Sequence, residues 1–394
     1  MAESSSIEWT DATWNPVTGC AIVSPGCTNC YAMRLAGTRL AHLPSRAGLT
    51  RDSKVGPIWT GEIRFNAEWL DQPLRWRRPR RIFVCAHGDL FADGVKDEWI
   101  DQIFAVMALA PQHTFQVLTK RPERMRAYML EQWQGTPART ISLGHGETLH
   151  IPAGGPTGRR CQIEEACEPL LERFGLVDTT KDYLWTEEGS CKAMQWQWPL
   201  PNVWLGVSAE DQRRADERIP DLLATPAALR FISAEPLLGP IRFRGTSPDG
   251  KRQWDWLTGE TGVMHDDGPD FDVGPKLDWM IVGGESGQGA RPMHPDWARQ
   301  IRDACADAGA AFFFKQWGEW LFETQIEDGQ HPSDRFFNCD GNPIDEKPPF
   351  GPHAGRLWHW WEPSHHASIR LGKKAAGRLL DGAEHSAKPE MRHG

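Results

Sequence analysis

Residues 202–235, NVWLGVSAEDQRRADERIPDLLATPAALRFISAE, contain two short apolar runs separated by an amphipathic stretch. The runs NVWLGVS (202–208) and LRFISAE (229–235) are rich in β-branched and aromatic residues, which is typical of strands buried on both faces. The intervening EDQRRADERIPDLL has its apolar residues at helical spacing. A strand, a helix and a second strand in succession predict a βαβ unit with parallel strands.

The same alternation recurs along much of the chain. Further apolar runs are IFVCAH (82–87), TFQVLT (114–119), DWMIVGGE (278–285) and AAFFFKQ (310–316). Amphipathic stretches such as DEWIDQIFAVMALA, RPERMRAYML and HPDWARQIRDACADAG lie between several of them, and CYAMRLAGTRLAHL precedes the first. Repeated βα units predict an α/β architecture with a parallel sheet.

Two stretches interrupt this pattern and divide the chain. Residues 136–200 carry Gly- and Pro-rich loops, the acidic helical pattern IEEACEPLLERFG and three cysteines, which indicates a Cys-containing insertion. Residues 241–276 are rich in Gly and Asp and predict a loop or hairpin. The α/β core is then expected in 1–135 and 201–320. Residues 321–394 form a C-terminal extension, in which HHASIRLGKKAAGRLLDG predicts a closing helix that ends at Gly382.

Composition excludes several classes of protein. No run approaches the roughly 20 apolar residues that a membrane helix needs, and the N-terminus lacks the pattern of a secretory signal. Nine cysteines without an export signal indicate thiols or metal ligands in a reducing compartment, and therefore a cytoplasmic protein. The formal charge is 44 − 53 = −9, which argues against a general nucleic-acid-coating surface. RWRRPRR (75–81) is the candidate for local nucleic-acid contact, although such stretches are often simply solvated.

Nearly every apolar run ends in polar or small residues. Because the carboxyl ends of barrel strands converge on one face, where catalytic groups sit, we expect these residues to line a common site. Any one of them alone is equally consistent with a helix cap or a strand-to-loop transition. The residues are His87, Gly88, Asp89, Thr119, Lys120, Ser208, Glu210, Ser233, Glu235, Gly284, Glu285, Ser286, Lys315 and Gln316.

The stretch WNPVTGCAIVSPGCTNCYAMRLAG places Cys20, Cys27 and Cys30 in a C-x6-C-x2-C spacing just before a helical pattern. Thiolates near a helix N-terminus suit an iron-sulfur cluster, because the exposed N–H groups and the helix dipole favour anionic sulfur. Three cysteines on a four-iron cubane leave one iron open for S-adenosylmethionine (SAM). Structural zinc and unligated buried cysteines are the alternatives, but no fourth local ligand completes a zinc set.

The chain resembles a known superfamily at this motif and beyond it. A three-cysteine loop between a first strand and a helix, followed by about six βα units, resembles the radical SAM superfamily. The segments WNPVTGC, CTNCYAMRLA, PLRWRRPRRIFV, VLTKRP, WLGVSAEDQ, FISAEPLLGPI, IVGGESG and FFFKQWGEW more closely resemble the phage-type three-Cys-motif proteins. That bacteriophage radical SAM-like group is distantly similar to spore photoproduct lyase.

The resemblance implies a partial (β/α)6 barrel of the TIM type, a 4Fe-4S cluster and bound SAM. It implies reductive cleavage of SAM to methionine and a 5'-deoxyadenosyl radical that abstracts hydrogen from a substrate. Cys20, Cys27 and Cys30 match the cluster ligands. At the positions expected to bind SAM, His87 and Asp89 match the contacts to its amino group, and Ser208 and Glu210 match the contacts to its ribose. The residues expected to line the substrate pocket are Glu235, Glu285 and Lys315.

The chain departs from the common radical SAM pattern at two places. The first cysteine gap is six residues instead of three, and Asn29 stands where an aromatic residue usually contacts adenine, so that Tyr31 becomes the candidate for that contact. The triplet Gly283, Gly284 and Glu285 occurs too late in the chain to take the role of the usual Gly-Gly-Glu motif.

The remaining cysteines and the function leave alternatives open. Cys161, Cys167 and Cys191 could hold a second metal with His145 or His150, although their spacing favours free thiols. The expected substrate is a nucleobase or nucleotide, free or in nucleic acid; a small metabolite or peptide is the first alternative, and a zinc-stabilised non-catalytic binding module is the second. Expected partners are a flavodoxin- or ferredoxin-type electron donor and a further partner protein.

Overall fold

A seven-stranded parallel sheet forms the centre of the protein, and its strands follow one another in chain order. The computed structural model describes residues 5, 7–133, 139–144, 147–151, 157–174, 198–247, 249–265, 268–322, 334–335, 354–355, 358–361 and 366–390. The sheet curls into a half-barrel, with the first and last strands at its two edges. Its strands are β1 (Ala12–Trp14), β2 (Arg81–Val84), β3 (Thr114–Thr119), β4 (Val203–Ser208), β5 (Leu229–Ala234), β6 (Trp279–Gly283) and β7 (Ala311–Gln316).

The α/β prediction is confirmed, since each apolar run quoted above forms a strand of this sheet. Neighbouring strands pair in parallel throughout, for example Val203 with Phe115 and Phe231 with Trp279. The register shifts once, between Val282 and Gly283, where β6 pairs with β7. Parallel pairing places all the carboxyl ends at one edge of the sheet, which is the condition for a shared site.

Helices connect most of the strands and cover one face of the sheet. They are α1 (Tyr31–Gly37), α2 (Asp97–Leu109), α3 (Pro122–Leu130), α4 (Arg159–Phe174), α5 (Gln212–Ala224), α6 (Pro295–Ala308) and α7 (Lys373–Ala376). Shorter 3-10 turns occupy Pro25–Cys27, Ala67–Trp69 and Gln72–Arg75. The described residues contain no helix that is both long and apolar enough to cross a membrane.

The expected closing helix near the C-terminus is wrong. The segment forms a strand, His366–Arg370, and then only the single turn of α7. Gly372 and Gly377 flank that turn with φ of 88° and 70°, conformations that no helix contains. The helix expected over CYAMRLAGTRLAHL is also shorter than predicted, since α1 ends at Gly37. The backbone of Gly37 packs so closely on Pro57 that a Cβ at this position would lie 2.1 Å from the proline ring.

Between β5 and β6 the chain forms strands instead of a helix. The stretch expected to be a loop or hairpin folds into a four-stranded antiparallel sheet: Arg244–Thr246, Arg252–Asp255, Glu260–His265 and Gly268–Val273. The other short pairings are Val17–Thr18 with Arg64–Phe65, Thr50–Arg51 with Ile58–Trp59, Gln132–Trp133 with Thr157–Gly158, Arg139–Gly144 with Glu147–Ile151 and Asp334–Arg335 with Ala354–Gly355. The sheet near the C-terminus joins Trp320–Phe322, His366–Arg370 and Trp358–Trp361.

Both faces of the central sheet are buried, as the continuous apolar runs predict. Ile82, Val117 and Phe314 pack with α2, α5 and α6 in the main core. The opposite face carries a separate aromatic cluster that Trp9 covers from the N-terminal segment, 4.7 Å from Phe83 between ring centroids. The chain near the C-terminus covers the β7 edge, where the Phe314 N–H donates to His385 at 2.9 Å.

Candidate active site at the carboxyl ends of the strands

One cavity of about 540 Å³ opens at the carboxyl ends of the parallel strands. The three motif cysteines line it together with residues at or just after the carboxyl ends of β2, β3, β4, β5, β6 and β7. Every residue that we predicted for the site from the sequence lies on this lining except Glu210. Those on the lining are Cys20, Cys27, Cys30, Tyr31, His87, Asp89, Ser208, Glu235, Glu285 and Lys315.

The three-cysteine loop begins where two glycines bring its first residue against the end of β2. The Gly19 N–H donates to the carbonyl of His87 at 3.2 Å, and Gly19 pairs with Gly88 in an isolated bridge. A Cβ on Gly88 would lie 3.0 Å from the Gly19 oxygen, and Gly19 itself has φ of 97°. This close backbone approach therefore requires glycine at both positions and places Cys20 at the cavity.

The rest of the loop folds on itself before it enters α1. Its 3-10 turn brings the Cys27 N–H to the Ser24 carbonyl at 2.9 Å, and the Cys30 N–H donates to the Cys27 carbonyl at 3.3 Å. Cys30 is then the N-cap residue of α1. The prediction that the last cysteine opens a helix is confirmed.

Glu210 lies behind this loop and not on the cavity. Its carboxylate accepts a hydrogen bond from the Gly26 N–H at 3.1 Å and pairs with Arg218 at 3.0 Å. Burial acts to raise the pKa of Glu210, but the hydrogen bond from Ser24 and the charge of Arg218 outweigh it, so the pKa lies below its usual value. The observed contacts of Glu210 are therefore with the cysteine loop, and its side chain is not on the cavity lining where we expected it to bind ribose.

A second arginine-carboxylate pair holds the loop from the β6 side. Both carboxylate oxygens of Glu285 accept hydrogen bonds from Arg291, at 2.6 and 2.8 Å, and Arg291 also donates to the carbonyl of Pro25 at 2.9 Å. The side chain of Asn29 reaches the carbonyl of Gly289 at 2.9 Å. Glu285 thus lines the cavity while its charge is already compensated by Arg291.

The third pair joins Asp89 to Arg121 and reaches a cysteine sulfur. Arg121 donates to Asp89 at 2.9 Å, and the same nitrogen lies 3.7 Å from Sγ of Cys20. Asp89 also accepts from the Thr119 hydroxyl at 2.7 Å and from the Lys120 N–H at 3.2 Å. The carboxylate that we expected to bind the SAM amino group is therefore engaged in an internal network.

His87 and Tyr31 form the wall beside Cys30. The Tyr31 hydroxyl donates to the carbonyl of Ala86 at 2.6 Å, and its ring meets His87 edge-on with centroids 6.0 Å apart. Among the described residues, the buried Nδ1 of His87 has no hydrogen-bond partner. Burial and the nearby charge of Arg46 lower the pKa of His87 to about 4, so the ring is neutral at physiological pH.

Across the cavity from the loop, the ends of β5 and β7 supply a polar floor. Lys315 forms an ion pair with Glu235, and Gln316 donates to the Ser286 hydroxyl at 3.0 Å. The buried Oε1 of Gln316 has no partner among the described residues. A polar group without a partner beside the cavity is a candidate contact for a bound molecule.

Burial favours the protonated form of two of the motif thiols, Cys20 and Cys30. Burial, with a smaller effect from Asp89, raises the pKa of Cys20 to about 12, and burial also raises the pKa of Cys30. A metal that binds these sulfurs must therefore displace protons.

The three motif thiols are the kind of donor that an iron-sulfur cluster takes. Within the described residues, no three His, Cys, Asp or Glu side chains are arranged to hold a metal ion. Ligands of one zinc ion must converge at about 2.3 Å from a common centre, whereas the thiolates of a four-iron cluster bind separate irons and stay farther apart. Three soft thiol donors lie on one roomy cavity, which is compatible with the second arrangement, and His87 and Asp89 lie on the same lining.

The other described cysteines lie away from the cavity. Cys85, Cys167 and Cys305 are buried free thiols, and Cys167 packs against α2 with its sulfur 3.9 Å from the Ala105 carbonyl. Cys191, Cys339 and His145 fall outside the described residues, as do the side chains of Cys161 and His150, so the second-metal hypothesis stays a prediction.

The basic stretch RWRRPRR lies at the wrong end of the sheet to serve the cavity. Arg81 begins β2, whereas the cavity lies beyond the other end of that strand, at His87. Several of its arginines have internal contacts: Arg75 with Asp71, Arg81 with Asp11 at 2.8 Å, and Arg80 over the Trp76 ring.

The sequence interpretation missed the three arginines that connect this site. Arg121, Arg218 and Arg291 were not among the predicted residues, although VLTKRP was quoted for the resemblance. Arginine just after the carboxyl end of a strand, within reach of acidic strand endings, is the signal that could have indicated Arg121. Arg218 lies within α5 and Arg291 in the connection after β6, where no such signal marks them.

Comparison with known proteins places the chain in one family. No curated protein matches the chain, and no solved structure matches it. A family model described as protein of unknown function, DUF5131, matches residues 4–389. Because this match covers nearly all of the sequence, the chain belongs to the DUF5131 family.

Proposed function

We propose that this protein is a radical SAM enzyme in which Cys20, Cys27 and Cys30 hold a 4Fe-4S cluster. The observation that carries the proposal is that the three thiols share one cavity with polar residues from the ends of six parallel strands. A binding module needs no such convergence of titratable groups on a concave site. On this proposal the half-barrel is a variant of the partial (β/α)6 barrel.

The cofactor supplies the difficult chemistry and the chain supplies position. Bound at this loop, the cluster and SAM together provide reductive cleavage of SAM and a 5'-deoxyadenosyl radical that abstracts hydrogen from the substrate. Tyr31 and His87 form the wall next to Cys30 and are the candidates to contact SAM, the neutral His87 through its unpartnered Nδ1. Ser208, at the end of β4, remains the candidate ribose contact.

The floor of the cavity is where we place the substrate. Glu235 and Lys315 form a partly buried ion pair there, which can donate and accept hydrogen bonds. Trp9 and Phe83 lie on the same lining and give it a flat apolar surface. A heteroaromatic ring with polar edges, such as a nucleobase, suits that combination.

The substrate class rests on this lining and on the resemblance to a lyase of damaged DNA. A small metabolite or peptide would use the same polar pair. A salt-dependent gel shift with DNA or RNA separates the two, because only phosphate contacts produce steep loss of binding with salt. We further propose cytoplasmic location and a flavodoxin- or ferredoxin-type electron donor, since low-potential clusters require both a reductant and reducing surroundings.

The first test is anaerobic purification with iron and sulfide analysis and a visible spectrum. We expect roughly four irons per chain and a brown protein, with both lost in Cys27→Ala. The matched control is Cys305→Ala, a buried free cysteine on α6 away from the cavity, which should keep iron and colour. Release of 5'-deoxyadenosine on reduction with SAM is the following assay.

The rival outcome is equally definite. A colourless protein that contains zinc, and that stays colourless after reconstitution with iron and sulfide, would overturn the radical SAM proposal. The zinc-stabilised binding module would then be the better account.

A further inference from the structure

We propose that Arg121 is a positioning residue that sets the reduction potential of the cluster through Cys20. This inference rests on the proposed function and concerns a residue that no sequence motif assigned. The guanidinium would act by an N–H···S contact and by its charge, and it touches one of the three ligands only.

The contacts of Arg121 fix its guanidinium at the sulfur. One nitrogen lies 3.7 Å from Sγ of Cys20 and 2.9 Å from Asp89, and the other donates to the Ala21 carbonyl at 3.3 Å. The Arg121 side chain is only 8% exposed and that of Asp89 only 7%. A buried, doubly anchored guanidinium has little freedom to leave the sulfur.

The other two ligands have different surroundings. The Cys27 sulfur lies 4.0 Å from the Ser24 hydroxyl. Cys30 packs, as Cys20 does, against the apolar cluster of Met33, Leu49 and Trp59, and the charge of Lys120 acts on it without a hydrogen bond to its sulfur. In the described part of the chain, neither of these sulfurs has a cation within hydrogen-bonding distance. Among the described residues, Cys20 is therefore the one motif cysteine whose sulfur contacts a cation.

The physical effect has a definite sign. One-electron reduction adds negative charge to a cluster, and donors to its sulfurs together with nearby cations stabilise the reduced form. Because the site is largely removed from water, the effect of a single cation is weakly screened. Arg121 should raise the potential, while Asp89 holds the guanidinium in place and compensates part of its charge.

The experiment is a redox titration of the purified, cluster-loaded protein, followed by visible absorbance. Arg121→Gln removes the charge, and we expect at least a tenfold lower equilibrium constant for reduction, which is about 59 mV for one electron. Arg121→Lys keeps a charge but loses the planar double contact, and we expect a smaller shift in the same direction. Arg299→Gln is the control: it removes the same charge from an arginine-carboxylate pair on α6, with Asp381, that touches no motif sulfur and does not line the cavity.

The outcomes separate this inference from the proposed function. Wild-type protein that binds no iron cluster would overturn both. A cluster in every variant with unchanged potentials, or an equal shift in Arg299→Gln, would overturn the role of Arg121 and leave the proposed function standing. Negative shifts confined to the two Arg121 variants, with iron content equal to wild type, would support it.

Discussion

The two ends of the same parallel strands differ sharply in what they carry. Towards the amino ends and along the inner face, Phe83, Phe231, Trp279 and Phe313 pack into a cluster with Trp9 over it. Beyond the carboxyl ends, the chain replaces these rings with charged pairs and three thiols around a cavity. The side chains inside the sheet thus hold the strands together. The residues at the strand ends, which strand pairing does not require, can form a binding or catalytic site.

The difference also explains how a reactive loop is kept in place. Apolar packing has no direction, so it can hold strands together but cannot orient a loop of Gly, Pro and Cys. The loop is instead held by directional bonds from Glu210, Arg291 and Arg121, each following a different strand or its connection. Stability and site geometry therefore depend on largely different residues, although Trp9 and Phe83 belong both to the aromatic cluster and to the cavity lining.

The largest effect should come from the aromatic cluster. Trp279 is fully buried between Trp9, Trp204 and Phe313, and Trp279→Ala should lower the free energy of unfolding by about 4 kcal/mol through lost burial and the resulting cavity. Denaturant unfolding of the metal-free protein measures this. Phe271→Ala, at a ring that is 65% exposed on the four-stranded sheet, should change stability by less than about 0.5 kcal/mol. Equal losses of unfolding free energy in Trp279→Ala and Phe271→Ala would contradict the conclusion that the buried aromatic cluster stabilises the fold.

An intermediate effect is expected at the loop itself. A Cβ on Gly26 would lie 3.1 Å from the carboxyl carbon of Glu210, so Gly26→Ala should weaken the Gly26–Glu210 bond and cost about 2 kcal/mol. Iron content should fall with it, because the cysteines lose their placement. Gly274→Ala is the control, since its nearest atom would be the Gly259 oxygen at 3.9 Å. Wild-type iron binding in Gly26→Ala would show that Glu210 does not position the loop.

The smallest effect concerns the pH dependence of the metal-free protein. The pKa of His87 falls from 6.5 to about 4 on folding, so the neutral ring is favoured in the native state. Its contribution is complete above pH 6.5 and is lost as pH falls from there towards 4, because the unfolded chain then binds the extra proton. At pH 5.5 the loss should be about 1 kcal/mol relative to pH 7.5. His87→Gln should show a shallower decline in Tm over this range; an identical pH profile would contradict a depressed pKa.

Much of the fold could be predicted because its signal is local. The runs around Val117, Val207 and Ile281 are apolar on both faces, and only a strand covered on both sides uses such a pattern. The segment HHASIRLGKKAAGRLLDG misled the prediction because its helix-favouring composition competes with two glycines and with pairing to Trp320–Phe322, a partner far away in the chain. Tertiary pairing there overrides local propensity.

For the candidate site too, one part could be predicted from the sequence and another part could not. The sequence by itself determined which residues follow each strand, and, since parallel strands end at one edge, that they meet: Cys20, His87, Ser208, Glu235 and Lys315 all line one cavity. The sequence could not determine which of the carboxylates would be engaged in hydrogen bonds and ion pairs within the protein. Only the tertiary structure decided that Glu210 turns to Gly26 and that Arg121 reaches a sulfur 101 residues earlier in the chain. Strand order follows from local patterns, whereas hydrogen-bond partners depend on distances of a few ångströms that only packing sets.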